Sequence, residues 1–243
     1  MTKISKTVSI PSVTIDNLSD YIELIEDITN KNPRKTIIYR GQPQDFDLLP
    51  SIARKNNKTD TTIKEIRILE EFKRRSRLKI NTDFIDDWDW LIFAQHYGLK
   101  TRLLDWSSNP LVGLWFSCNE QNNLGEDGVI YIFKAKRSHL LNRKTDTKPF
   151  ERNTTRVYKP HLNNERIIAQ SGWFTAHGYS STADMFVRLN HNTLLREYLE
   201  KVIIPSRIKE RIIEKLDVLG INYERLFPDI DGICKQMNYE NKL

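Results

Sequence analysis

The sequence predicts a single α+β domain built on a small mixed or antiparallel sheet flanked by helices. Three observations carry this class. Of 243 residues, 39% are hydrophobic and 10% aromatic, enough apolar matter for a packed core. Short β-branched and aromatic runs mix with amphipathic helical segments, without the strict alternation that builds a parallel sheet. No repeat, low-complexity tract or linker divides the chain, so an N-terminal extension and helix (1–35) is expected to form one globular unit with a domain over 36–238.

After an extended start, Leu18, Tyr21, Ile22, Ile25 and Ile28 recur at helical spacing behind Asp16 and Asn17, either of which suits an N-cap. Thr36-Ile37-Ile38-Tyr39 reads as a strand running into Arg40-Gly41, and the stretch to Pro50 reads as loop. A helix is expected from Thr61, with Lys73, Arg74, Arg75, Arg77 and Lys79 near its C-terminal end. Cations there either complement the helix dipole or face a phosphate. A third helix is expected over Asp83–Tyr97, stopped by Gly98, and a loop over Leu99–Ser108. Asn109-Pro110 is an N-cap and N1 pair opening an all-round apolar, buried helix, Leu111 to Cys118. Gly128–Phe133 alternates as a strand, and about thirty polar, basic residues follow as a surface excursion. Gly172–Thr175 and Tyr198–Ile204 read as strands, Ser206–Leu219 as a helix stopped by Gly220, and a short helix follows Pro228.

Composition excludes several classes. No window approaches 18 apolar residues, and the N-terminus lacks the apolar stretch of a signal peptide, which points to a cytoplasmic protein without a membrane partner. Cys118 and Cys234 read as two buried thiols in a reducing compartment. Neither zinc motifs nor the Rossmann and Walker glycine patterns occur, so no metal is expected. His139, His161, His177 and His191 lie in polar surroundings and read as surface or turn residues. Net charge is +6, unevenly spread: +5 over 1–80, −6 over 81–133, +7 over 134–170 and zero thereafter.

Three segments concentrate chemistry at element ends. Tyr39-Arg40-Gly41-Gln42 offers a guanidinium at a strand end, suited to bidentate phosphate binding or to pairing with Asp45 or Asp105. Gln95-His96-Tyr97-Gly98 through Thr101-Arg102-Leu103-Leu104-Asp105-Trp106 brings an imidazole, aromatic rings and a carboxylate close together. These either wall a polar pocket or serve packing, with Arg102 paired to Asp105. In Asn163-Asn164-Glu165-Arg166 through Gln170-Ser171-Gly172-Trp173-Phe174-Thr175, Arg166 and Gln170 share a helix face.

Together these segments resemble the FRG domain, a family named for an aromatic-Arg-Gly signature. Leu49-Pro50-Ser51 adds to its opening motif, Asn109-Pro110-Leu111 to its centre, and Leu226-Phe227-Pro228-Asp229 with Asp231-Gly232 to its end. More distantly, the aromatic-Arg-Gly strand end is similar to the first NAD-binding element of mono-ADP-ribosyltransferases, and Glu200-Lys201-Val202-Ile203-Ile204-Pro205 to their last strand. Lys201 stands where that strand carries its glutamate, and Glu200 lies one place early, on the opposite face.

The resemblance implies an NAD-dependent mono-ADP-ribosyltransferase acting as a toxin or defence effector, with an antitoxin or regulatory protein as partner. NAD is the substrate, bound by Arg40, Gly41, Gln42, His96, Tyr97, Thr101, Arg102 and Trp106. Arg40, His96, Asp105, Glu165 and Gln170 form the catalytic set, the carboxylate coming from Glu165, Asp105 or Glu200. The basic excursion suggests a nucleic-acid acceptor, RNA or DNA, held by Lys144, Lys148 and Arg152. The competing reading is a non-enzymatic module that senses a nucleotide or binds a partner.

Overall fold

A computed structural model describes residues 9–80, 84–119, 125–162 and 164–243. The protein is α+β, with one open sheet of mostly antiparallel strands. Strands β1 (Ser12–Thr14), β2 (Thr36–Gln42), β3 (Leu103–Ser107), β4 (Gly128–Ala135), β5 (Arg156–Tyr158), β6 (Gly172–Ala176), a separate two-stranded pair β7 (Tyr179–Ser180) and β8 (Met185–Phe186), and β9 (Leu199–Ile204) account for the β structure. The large sheet runs β1-β9-β4-β2-β3-β6-β5, and only β1 with β9 is parallel.

Helices α1 (Leu18–Lys31), α4 (Pro110–Cys118) and α6 (Ser206–Val218) cover one face. There Tyr21, Ile25, Trp115 and Ile212 bury against Tyr39, Ile130, Val202 and Ile204. The opposite face packs Ile38, Leu104, Trp106, Tyr131 and Phe133 under Leu48, Leu189 and Leu195. A third cluster joins α2 (Thr62–Ser76) and α3 (Asp87–His96) to Leu103, Tyr158 and Phe174 at the β6–β5 end. Short α5 (Glu165–Ala169), α7 (Tyr223–Leu226) and α8 (Ile230–Glu240) complete the chain.

Local signals act as expected in several places. Asn17 caps α1, its Oδ1 accepting from Ser19 N at 2.8 Å, and Asn109 caps α4 ahead of Pro110. Other expectations are corrected. The helix expected from Asp83 starts at Asp87, because the Asp86 carboxylate accepts from Trp88 N and Asp89 N; Asp83 itself lies outside the described residues. The expected loop Leu99–Ser108 contains β3, which pairs along its whole length with β6. Three of the five cations at the end of α2 meet acids, Lys73 pairing with Glu70 and Asp87, and Arg74 and Arg75 with Glu71. Cys118 is buried, its thiol pushed up to about 12 by burial, but Cys234 is exposed. His177 is not a surface residue: it is fully buried, with Thr175 Oγ1 3.0 Å from its Nε2. No helix among the described residues is long and apolar enough to cross a membrane.

A cationic cleft floored by Arg40

Strands β2 and β3 pair at one position only, Tyr39 with Ser107. Beside that pair, Arg40 Nη1 donates to the Asp105 carbonyl at 2.8 Å and its Nε to Gln42 Oε1 at 3.3 Å. Gly41 is required by packing: an added Cβ would lie 1.8 Å from Gly113 O and 2.6 Å from Ser117 N, so only glycine lets α4 press against the strand. Gln42 is held in turn, its Nε2 donating to Phe46 O at 2.9 Å.

Arg40 lies at the floor of a cleft of about 990 Å³, at the upper end of the roughly 300–1,000 Å³ usual for ligand sites. Its side chain is half-buried, and among the described residues no carboxylate forms an ion pair with it. Burial draws its pKa down to about 10; nearby Asp105 opposes the drop and Arg54 adds to it. A half-buried cation without an acidic partner, beside the open space of a cleft, can accept a bidentate anion.

Asp105 lines the same cleft and is oriented by a directed relay. Thr101 Oγ1 accepts from Leu103 N at 3.0 Å, so its proton is free to donate to Gln95 Oε1. Gln95 therefore turns its amide nitrogen to Asp105 Oδ1, at 2.7 Å. His96 also lines the cleft, its pKa lowered by burial and by the charge of Arg166, so it is neutral near pH 7. Gln170 is there too, its Nε2 donating to Leu226 O at 3.0 Å. Trp106 forms part of the wall, its Nε1 donating to Thr175 Oγ1 at 3.0 Å.

The structure thus brings together Arg40, Gly41, Gln42, His96, Asp105, Trp106 and Gln170. It places the other expected residues elsewhere. Tyr97 is 68% exposed, packing on Phe93 outside the cleft. Thr101 is buried and acts on the cleft only through Gln95. Arg102 pairs not with Asp105 but with Glu65, its Nη2 2.9 Å from Oε1, with both side chains almost fully buried. Glu165 is exposed and outside the lining, and Glu200 is paired with Lys134, so Asp105 is the one of the three candidate carboxylates that faces the cleft. Lys201 is occupied by Asp45. Lys144, Lys148 and Arg152 line none of the cleft; Lys148 pairs with Glu151 and Arg152 with the buried Asp146.

Sequence reasoning missed a second group of lining residues. Arg54, Lys55, Asn56, Asn57 and Lys58 supply one wall in succession, and Arg188, paired with Asp47, also contributes. The available signal was three cations in five residues with no acid before Asp60.

The sheet and this cleft define an α+β protein with a large, arginine-lined cleft. The model of the FRG domain family matches residues 35–126, the span holding Arg40, Gln95, His96 and Asp105. No curated protein and no solved structure matches.

Proposed function

We propose that the cleft binds NAD and transfers its ADP-ribose to an acceptor. The observation that carries this reading is the Arg40 guanidinium, half-buried in the cleft lining without a carboxylate ion pair and bonded to the Asp105 carbonyl. Arg40 takes the diphosphate, and Trp173, in the lining, offers apolar surface to a planar ring. The bond between ribose C1′ and the nicotinamide nitrogen breaks, its electron pair leaving with nicotinamide, and positive charge develops on the ribose. The Asp105 carboxylate, held by Gln95, stabilises that charge without reorganising. The acceptor nucleophile bonds to C1′ and gives up its proton, for which the neutral His96 imidazole is the candidate base.

Calorimetry with NAD, followed by mass spectrometry of RNA, DNA and protein for added ADP-ribose, tests the reading. Arg40→Ala is expected to abolish binding. Asp105→Asn should retain binding and lower transfer on the order of 10²–10³-fold, the range for losing one preorganised electrostatic group. Absence of both NAD binding and transfer in the wild type overturns the proposal.

A further inference from the structure

The loop Arg54-Lys55-Asn56-Asn57-Lys58 forms a continuous part of the cleft wall, and its three cations are exposed. Among the described residues, no carboxylate pairs with Arg54, Lys55 or Lys58. Arg54 donates from Nε to the Leu49 carbonyl at 3.3 Å, which leaves its other guanidinium nitrogens for a ligand. The backbone beneath these side chains is held in place. Phe186 N donates to Asn57 O at 2.7 Å, Asn57 Nδ2 to Phe186 O at 3.1 Å, and Tyr179 Oη to Lys58 O at 3.1 Å. The charges therefore stand on a fixed support and lose little backbone freedom on binding.

We propose that this loop docks the phosphate backbone of single-stranded nucleic acid and delivers a base into the Arg40 cleft. The inference rests on the transferase reading for its purpose, since it names the acceptor, but the docking itself involves no covalent step. Arg40 already answers one diphosphate. Arg54, Lys55 and Lys58 on one wall and Arg166 elsewhere in the lining extend the positive surface beyond what one such group neutralises. A strand of successive phosphates fits that spread. Single strands are favoured over duplex because the cleft is concave and admits an unstacked base, and because Phe46, 45% exposed, presents a ring on which a base stacks. The same ring favours nucleic acid over an acidic polypeptide.

The test is the anisotropy of a labelled single-stranded oligonucleotide, titrated at several salt concentrations. The double variant Lys55→Gln/Lys58→Gln should weaken binding on the order of tenfold at low salt. It should also flatten the slope of log K against log salt by about 1.4, the value for two lost contacts on a single strand. Lys144→Gln/Lys148→Gln should match the wild type. The proposal is overturned if the wild type does not bind the strand, or if binding follows Lys144 and Lys148 instead. Equal affinity for a hairpin duplex, or tighter binding of poly-glutamate through Lys55 and Lys58, overturns it as well. Calorimetry with NAD on the same preparation separates the two proposals: strand binding without NAD binding supports the docking loop and sinks the transferase, whereas NAD turnover without strand binding does the reverse.

Discussion

Two basic stretches of this protein differ in what faces them. Residues 134–159 contain nine of the ten cations of the most basic segment, yet none of them lines the cleft and the fold sets acids against four: Lys134 meets Glu200, Arg143 meets Asp86 and Asp89, Lys148 meets Glu151 and Arg152 meets Asp146. Asp86 and Asp89 come from the acidic middle segment, so part of the +7 and the −6 cancel in space. Residues 54–58 contain only three cations, none of them paired with a carboxylate among the described residues, and all in the wall of the cleft. Charge density along a chain is therefore a poor guide to binding. What counts is positive charge that the fold both leaves without an acid and gathers round a cleft, because that charge gains most from a ligand.

If paired cations hold the fold and unpaired ones await a ligand, substitutions should divide accordingly. The largest effect is expected for Glu65→Gln, which leaves Arg102 charged and almost fully buried without its partner. Urea unfolding should show a loss of about 3–5 kcal/mol, and a loss below about 1 would break the distinction. Arg152→Gln, which strands the buried Asp146, should cost about 1–3 kcal/mol in the same assay.

A pH series sharpens the comparison with a group the fold keeps uncharged. Burial lowers the His177 imidazole to about 3, with Arg40 and Arg102 adding to the drop. The unfolded chain takes up this proton near pH 6.5 and the native state does not, so His177 stabilises above that pH and its contribution falls as pH drops toward 3. Between pH 7 and 5 the loss is about 2 kcal/mol, and His177→Asn should reduce the slope of stability against pH.

Smaller still is the expected effect of Arg40→Gln on stability, within about 1 kcal/mol, since no ion pair is broken. Inorganic pyrophosphate should raise the melting temperature of the wild type and not of this variant. At the bottom of the scale, Lys55→Gln and Lys58→Gln should each move unfolding by no more than about 0.5 kcal/mol.

Much of the fold is legible locally. The Asn17 and Asn109 caps, the alternation of Gly128–Phe133 and the Gly220 stop act through neighbours a few residues away, and α1, α4, β4 and α6 follow from them. Strand β3 was not legible. Leu103-Leu104-Asp105-Trp106-Ser107 has no clear strand signature of its own and is defined by a partner at 172–176, some seventy residues later. His177 was misjudged for the same reason, since its polar neighbours in sequence are not its neighbours in space.

The candidate site divides in the same way. The motif residues Arg40, His96, Asp105 and Gln170 were legible as a dense cluster of chemistry, but density could not separate Asp105, which faces the cleft, from Arg102, which turns inward to Glu65. The lysines of 54–58 carried no distinguishing signal beyond their number.

By itself, then, the sequence determined the α+β class, the capped helices and the family signature centred on Arg40, all of which depend on residue types at short spacing. Tertiary structure alone decided which charges are neutralised and which stand unpaired in the cleft wall. Ion pairing depends on distances of a few ångströms between residues such as Arg143 and Asp86, or Arg102 and Glu65, which lie dozens of positions apart in the chain.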